Sequence, residues 1–248
     1  MITMRRHGER RCVRRGAHDI WHTFYQEQRP GQHVGDFGVL ATLDEMRLPP
    51  GSASARQILD ESEIVTYVHR AVLAQEDSTG DSGVLQAGEF QHMTVGRGIR
   101  RKETNASGTE WAHIFRISFR PSEVGCCSAH EQKRFPEAQR HNRLCVVASP
   151  DERQGSLRTR QDVVVCSSVL DPGHHLIHEL ARGRSAWLHV ICGEATFHDV
   201  TLSTGDGVGV TKEPSVSLTA QDFTEILLVD LGTVPTAAAG ATGPCDGP

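Results

Sequence analysis

Short runs rich in β-formers, separated by turn residues, recur along almost the whole chain and leave little room for helix. They fall at residues 36–42, 63–69, 89–95, 111–119, 163–170, 186–192, 215–219 and 223–231. Gly, Asp and Ser clusters such as Asp77-Ser-Thr-Gly-Asp-Ser-Gly83 and Ser203-Thr-Gly-Asp-Gly207 punctuate them. Many short strands at this spacing specify a sandwich or barrel rather than a parallel α/β sheet. The 248 residues suffice for two domains of ordinary size.

A weak internal repeat narrows the choice. Val84-Leu-Gln-Ala-Gly-Glu-Phe90 has the layout of Thr201-Leu-Ser-Thr-Gly-Asp-Gly207, and Tyr67-Val-His-Arg-Ala-Val72 that of His189-Val-Ile-Cys-Gly-Glu194. Two similar β-rich halves predict two stacked barrels, an all-β arrangement divided at about 1–136 and 137–232, with a crossover near 137–156. Residues 233–248, rich in Ala, Gly, Thr and Pro, are read as a disordered tail.

A formal net charge of −5 argues against a nucleic-acid or anionic-membrane binder, and the basic cluster from Arg5 to Arg15 reads as a solvated N-terminal arm. No apolar run approaches the ~20 residues that span a bilayer, and the basic N-terminus has no apolar stretch behind it. The seven cysteines lack paired metal-type spacing, and Cys126 and Cys127 are adjacent, so reduced thiols in a cytoplasmic protein are expected.

Around residues 51–105 the sequence is similar to the two-part cupin pattern. Gly51 leads to Gln57-Ile-Leu59 and Glu63, and Gly98 leads to Arg101, Glu103 and Asn105. Further segments resemble the pirin family of bicupins: Trp21-His-Thr-Phe24, Glu63-Ile-Val-Thr-Tyr67, Gly88-Glu-Phe-Gln91, Gly96-Arg-Gly-Ile-Arg100 and Ser149-Pro-Asp151. The resemblance implies two stacked cupin (jelly-roll-like) barrels, a monomer, and iron or a similar divalent ion held by three histidines and one glutamate. It also implies flavonol oxidation in some bacterial members and transcriptional co-regulation in animal ones. Carried over by position, Gln57, Leu59 and Arg101 stand where the histidines belong, and only Glu103 matches.

Leucine offers no lone pair, an amide oxygen is a weak iron ligand, and a guanidinium repels a divalent cation. The expectation is therefore a site with no metal and no cofactor. Arg101 and Glu103, two apart on a strand, face the same way. They make either an internal salt bridge supported by Gln57, or a cation that holds an anionic ligand beside a carboxylate base. Ligand-binding candidates are Gln57, Leu59, Arg101 and Glu103; catalytic candidates are Glu103, Arg101 and His22.

Other histidines have duller readings. His174, His175 and His178 are taken as lining or surface residues, and His69, His92 and His113 as core histidines that converge only if the strands bring them together. Tyr67 and Phe90 are core aromatics. Three functions follow: a metal-independent binder of a small organic ligand or protein partner in an accessory role; a cofactor-free enzyme doing acid–base chemistry in the N-terminal barrel; or a quercetinase-like dioxygenase using other ligands.

Overall fold

The strand Ser62–Arg70 shows why this chain needs two barrels. Nearly every residue in it is buried, on both faces. Ile64 and Val68 point into one barrel, while Val65 and Tyr67 join a separate apolar cluster shared with the other. A strand alternates its side chains between faces, so burial of both requires a layer on each side. The computed structural model, which describes residues 1–26, 33–123 and 128–233, supplies those layers.

Each barrel pairs a seven-stranded sheet with a four-stranded one. In the first, the large sheet runs in the order Ala129–Arg134, Glu89–Val95, Ser62–Arg70, Ala112–Phe119, Leu40–Leu48, His18–His22, Arg11–Arg15. Its small sheet runs Ser82–Gln86, Val72–Asp77, Arg100–Asn105, Gln57–Ile58. The second barrel centres on Ser185–Cys192, Thr224–Leu231 and Val163–Leu170, with His175–Glu179, Ser215–Ala220, Glu194–Phe197 and Val200–Ser203 opposite. The all-β bicupin architecture expected from the sequence is the one observed.

The internal repeat is structural. Val84 and Thr201 each lie in a small-sheet strand that turns back into the large sheet. Tyr67 and His189 each lie in a large-sheet strand that turns a corner into the small one. Both corners use one residue in the left-handed region, Ala71 (φ 62°) and Gly193 (φ 88°). A Cβ at Gly193 would sit 2.3 Å from the Phe223 carbonyl oxygen, so only glycine fits there.

The large sheets pack face to face. Tyr67, Phe90, Phe115 and Phe119 from one meet Trp187, Ile191, Leu227 and Val229 from the other. Full burial of each such side chain contributes about 1.5–3 kcal/mol, so the seam is an apolar interface rather than a hinge.

The N-terminal segment departs from the expected solvated arm. Ile2–Arg5 pairs antiparallel with Gly207–Thr211 in the second barrel, so residues 1–136 do not all stay with the first. Arg11–Arg15 is the edge strand of the first barrel. Between them Arg10 is buried and ion-paired with Glu45 at 2.7 Å. At the crossover, Cys145–Ser149 already belongs to the second barrel. Cys126, Cys127 and the segment 234–248 lie outside the described residues.

The two interiors differ. The second barrel is filled by Leu, Val, Ala, Ile, Phe and one cysteine. The first has apolar ends, one around Leu73, Leu85 and Ile114 and the other around Ile64, Met93 and Ile99, with a polar waist between them.

Candidate functional site

Cross-strand register builds the waist. His22 lies opposite Asp44, Asp44 opposite Arg116, Arg116 opposite Thr66, and Thr66 opposite Gln91. Directly paired residues share a face, so this row crosses the inside of the large sheet. Arg101 and Glu103 face it from the strand Arg100–Asn105, both 6% exposed, beside Gln75 and Asp77 on the neighbouring strand.

Of the two alternatives for Arg101 and Glu103, the mutual hydrogen-bonded bridge does not form. Glu103 accepts a short hydrogen bond from Arg116 and a long one, 3.5 Å, from Gln75. Arg101 turns its Nη2 to the sulfur of Met93, and its Nε has no partner among the described residues. Burial pulls the Arg101 pKa down and Arg116 adds to this, while Glu103 and Asp77 pull it up. Sequence reasoning missed Arg116, although a lone charge at an inward position of Ala-His-Ile-Phe-Arg-Ile-Ser-Phe was a visible signal.

The other candidates are placed as follows. Gln57 is half-buried on a short strand paired with Arg101. Leu59 packs on Ile64, Met93, Val95 and Ile99. His22 hydrogen-bonds Asp44 at 2.8 Å, on the same inner face but two residues removed from Glu103. The donor set at Gln57, Leu59, Arg101 and Glu103 does not fit a divalent ion: its one carboxylate is taken by an arginine and a second guanidinium lies alongside. Among the described residues, no group of three or more His, Cys, Asp or Glu is arranged to hold a metal ion.

A second polar cluster lies on the seam between the barrels. Arg140 Nη1 donates to Glu225 at 2.7 Å, to Tyr67 at 3.2 Å and to Ser167 at 3.0 Å, and Tyr67 donates to Glu225 at 2.6 Å. Burial would raise the Glu225 pKa, but His69, Arg140 and Tyr67 together hold it at about 2. His69 Nδ1 lies 3.2 Å from Glu225, close enough for attraction but poorly aligned for a hydrogen bond, so Arg140 is the firmer partner. Nearby, Glu45 joins Arg10 and His113 and is held well below the usual carboxylate range despite burial.

His69 and His113 do converge, with ring centroids 5.1 Å apart and perpendicular. His92 does not join them; it pairs with Glu63 at 3.1 Å. His189 is completely buried beside Phe115, and burial holds its pKa down at about 3. His175 bonds Thr219 and His178 bonds Asp230, so each is engaged within the second barrel.

Two four-plus-seven-stranded barrels joined through their large sheets define a bicupin, here with a polar waist in the first barrel. The chain belongs to the pirin family. A pirin family model matches residues 18–117, and one described as the quercetinase C-terminal cupin domain matches residues 146–231. The chain is 34% identical to quercetin 2,3-dioxygenase of Escherichia coli K12, over 94% of this chain and all of that protein. It is 32% identical to a putative quercetin 2,3-dioxygenase of Pseudomonas aeruginosa, over 79% of this chain and 84% of that one. The crystal structure of YhhW from Escherichia coli matches with a TM-score of 0.87, at 34% identity over 94% of this chain and 99% of that one. The bacterial pirin YhhW in complex with nickel(II) matches with a TM-score of 0.86, at 33% identity over 94% and 100%.

Proposed function

We propose that this chain is a pirin-family bicupin that works without a bound metal. In this reading it is a monomeric, cytoplasmic binder of a small organic ligand or protein partner in an accessory role. The observation that carries the reading is Arg101. A buried guanidinium, with Leu59 and Gln57 nearby, stands where the family resemblance assigns metal donors. At close range in a partly buried site, a fixed positive charge repels a divalent ion by several kcal/mol. Glu103, already paired with Arg116, does not offset that.

The competing reading is quercetin 2,3-dioxygenation, favoured by the names of the relatives and by the nickel complex of one of them. A cofactor-free enzyme in the barrel has less support. The space lined by Arg101, Gln75, Asp77 and Gln91 amounts to about 10 Å³, room for a water at most and not for a substrate.

Oxygen uptake with quercetin tests this directly, on protein incubated with ferrous iron and, separately, with nickel. The expected rate equals that of the metal ions alone. Protein-dependent uptake matched by loss of quercetin would overturn the proposal.

A further inference from the structure

At one end of the seam, where the two equivalent strand corners meet, the structure opens a cleft of about 1050 Å³. This is ample for a small organic molecule, since such sites usually span roughly 300–1,000 Å³. Its position follows from the repeat. In Ser62–Arg70 the pairing skips His69, because His113 lies opposite Arg70 and Ile114 opposite Val68. In Ser185–Cys192 the pairing skips Ile191, because Val190 lies opposite Ile226 and Cys192 opposite Glu225. Each skip is a β-bulge, a device that re-aims a side chain at a sheet end. Both bulged residues, His69 and Ile191, line the cleft.

The lining has a definite chemistry. Trp111 is 51% exposed, unusual for so large an apolar side chain, and Trp21 lies beneath the Arg47 guanidinium at 5.3 Å. Flat aromatic faces suit a flat aromatic ligand. Arg70 is exposed on the rim with no ion pair or hydrogen bond of its side chain among the described residues. Arg47 reaches Glu45 only at 3.5 Å. Of the acidic lining residues, Asp19 is taken by Arg14 at 2.8 Å, leaving Glu110 to oppose a second negative charge on any ligand.

On the floor, His113 Nε2 lies 2.8 Å from Glu45. An ionised carboxylate there fixes the proton on Nε2 and leaves the other ring nitrogen as an acceptor. His69 Nδ1 lies 3.2 Å from Glu225 without a hydrogen bond, and its ring stands beside that of His113. On the floor His113 therefore offers an acceptor to a hydroxyl, while the rim offers cations to an anion.

We propose that this cleft binds a hydroxylated aromatic monocarboxylate: Trp111 and Trp21 contact the ring, Arg70 and Arg47 the carboxylate, and His113 the hydroxyl. The inference rests on the reading of this chain as a binder and gives that binder a site and a ligand class.

Titration calorimetry on the full chain tests it, with 4-hydroxybenzoate and 4-hydroxycinnamate as probes, and benzoate and phenol as probes lacking one group. At least one hydroxylated acid should bind, with benzoate and phenol each several-fold weaker. Trp111→Ala and Arg70→Ala, both exposed positions, should each weaken binding by about tenfold or more while the thermal midpoint stays that of wild type. No heat from either hydroxylated acid at millimolar concentration overturns the proposal. So does binding that survives both substitutions, which would leave the chain a binder but move its site elsewhere. Metal-dependent cleavage of quercetin would instead overturn the broader reading and leave the cleft result standing.

Discussion

Replacing Arg140 by methionine removes the cation from the seam cluster and keeps most of the side-chain volume, so the loss is mainly electrostatic. Glu225 is left 5% exposed, with Tyr67 and the poorly aligned His69 as its remaining partners. Holding that carboxyl at about 2 rather than 4.5 corresponds to about 3 kcal/mol of stability at neutral pH. Arg140 is the permanent cation hydrogen-bonded to it, at 2.7 Å, and breaking a buried pair from one side costs about 3–5 kcal/mol. A deficit of about 2–4 kcal/mol in urea unfolding is therefore expected for Arg140→Met. A carboxylate with a depressed pKa stabilises the fold above its unfolded value and loses that contribution as pH falls through its folded value. The deficit should thus be full near pH 7 and shrink between about 4.5 and about 2. Adding Glu225→Gln to Arg140→Met should recover much of the loss, because no charge is left stranded. A deficit below about 0.5 kcal/mol, or one equally large near pH 7 and pH 3, would refute this reasoning.

Three further outcomes follow from the same geometry. Arg116→Met should destabilise by about 2–4 kcal/mol in urea unfolding, since it strands the buried Glu103; unchanged stability would mean Arg101 takes over the carboxylate. Gly193→Ala should cost about 2 kcal/mol or more by the same assay, because φ is 88° and the new Cβ meets the Phe223 carbonyl; a neutral effect would show that this corner relaxes freely. In the native protein Cys12 should react with a thiol reagent quickly and Cys166 only on unfolding, since burial pushes the Cys166 thiol up to about 12; rapid native labelling of Cys166, read by peptide mass, would contradict its placement.

The sequence revealed most where one physical rule governed a segment. Val163–Leu170 and Glu89–Val95 are continuous β-forming runs buried on both faces, and their bounds were read correctly. The strand Leu40–Leu48 was misplaced at 36–42 because Asp44 and Glu45 interrupt its apolar pattern. Those two charges are partnered by His22, Arg10 and His113 from distant segments, which no local pattern shows. The small-sheet strand Val72–Asp77 was hidden for the same reason: its inward Gln75 and Asp77 belong to the polar waist. Spacing did place Arg101 and Glu103 on one face, but the identity of their partners depended on register between strands. Likewise, His69 and His113 meet only because a bulge and two sheet ends bring residues 44 positions apart together.

Metal content by plasma mass spectrometry tests the central claim most directly, on tag-free protein incubated with ferrous iron or nickel and then desalted. The comparison is a variant carrying Gln57→His, Leu59→His and Arg101→His, which rebuilds the donor set that the family resemblance assigns. Wild type should retain less than about a tenth of an equivalent and the triple variant close to one. Near one equivalent in the wild-type chain would show that these residues, or others, hold a metal after all, and the metal-independent account would be wrong.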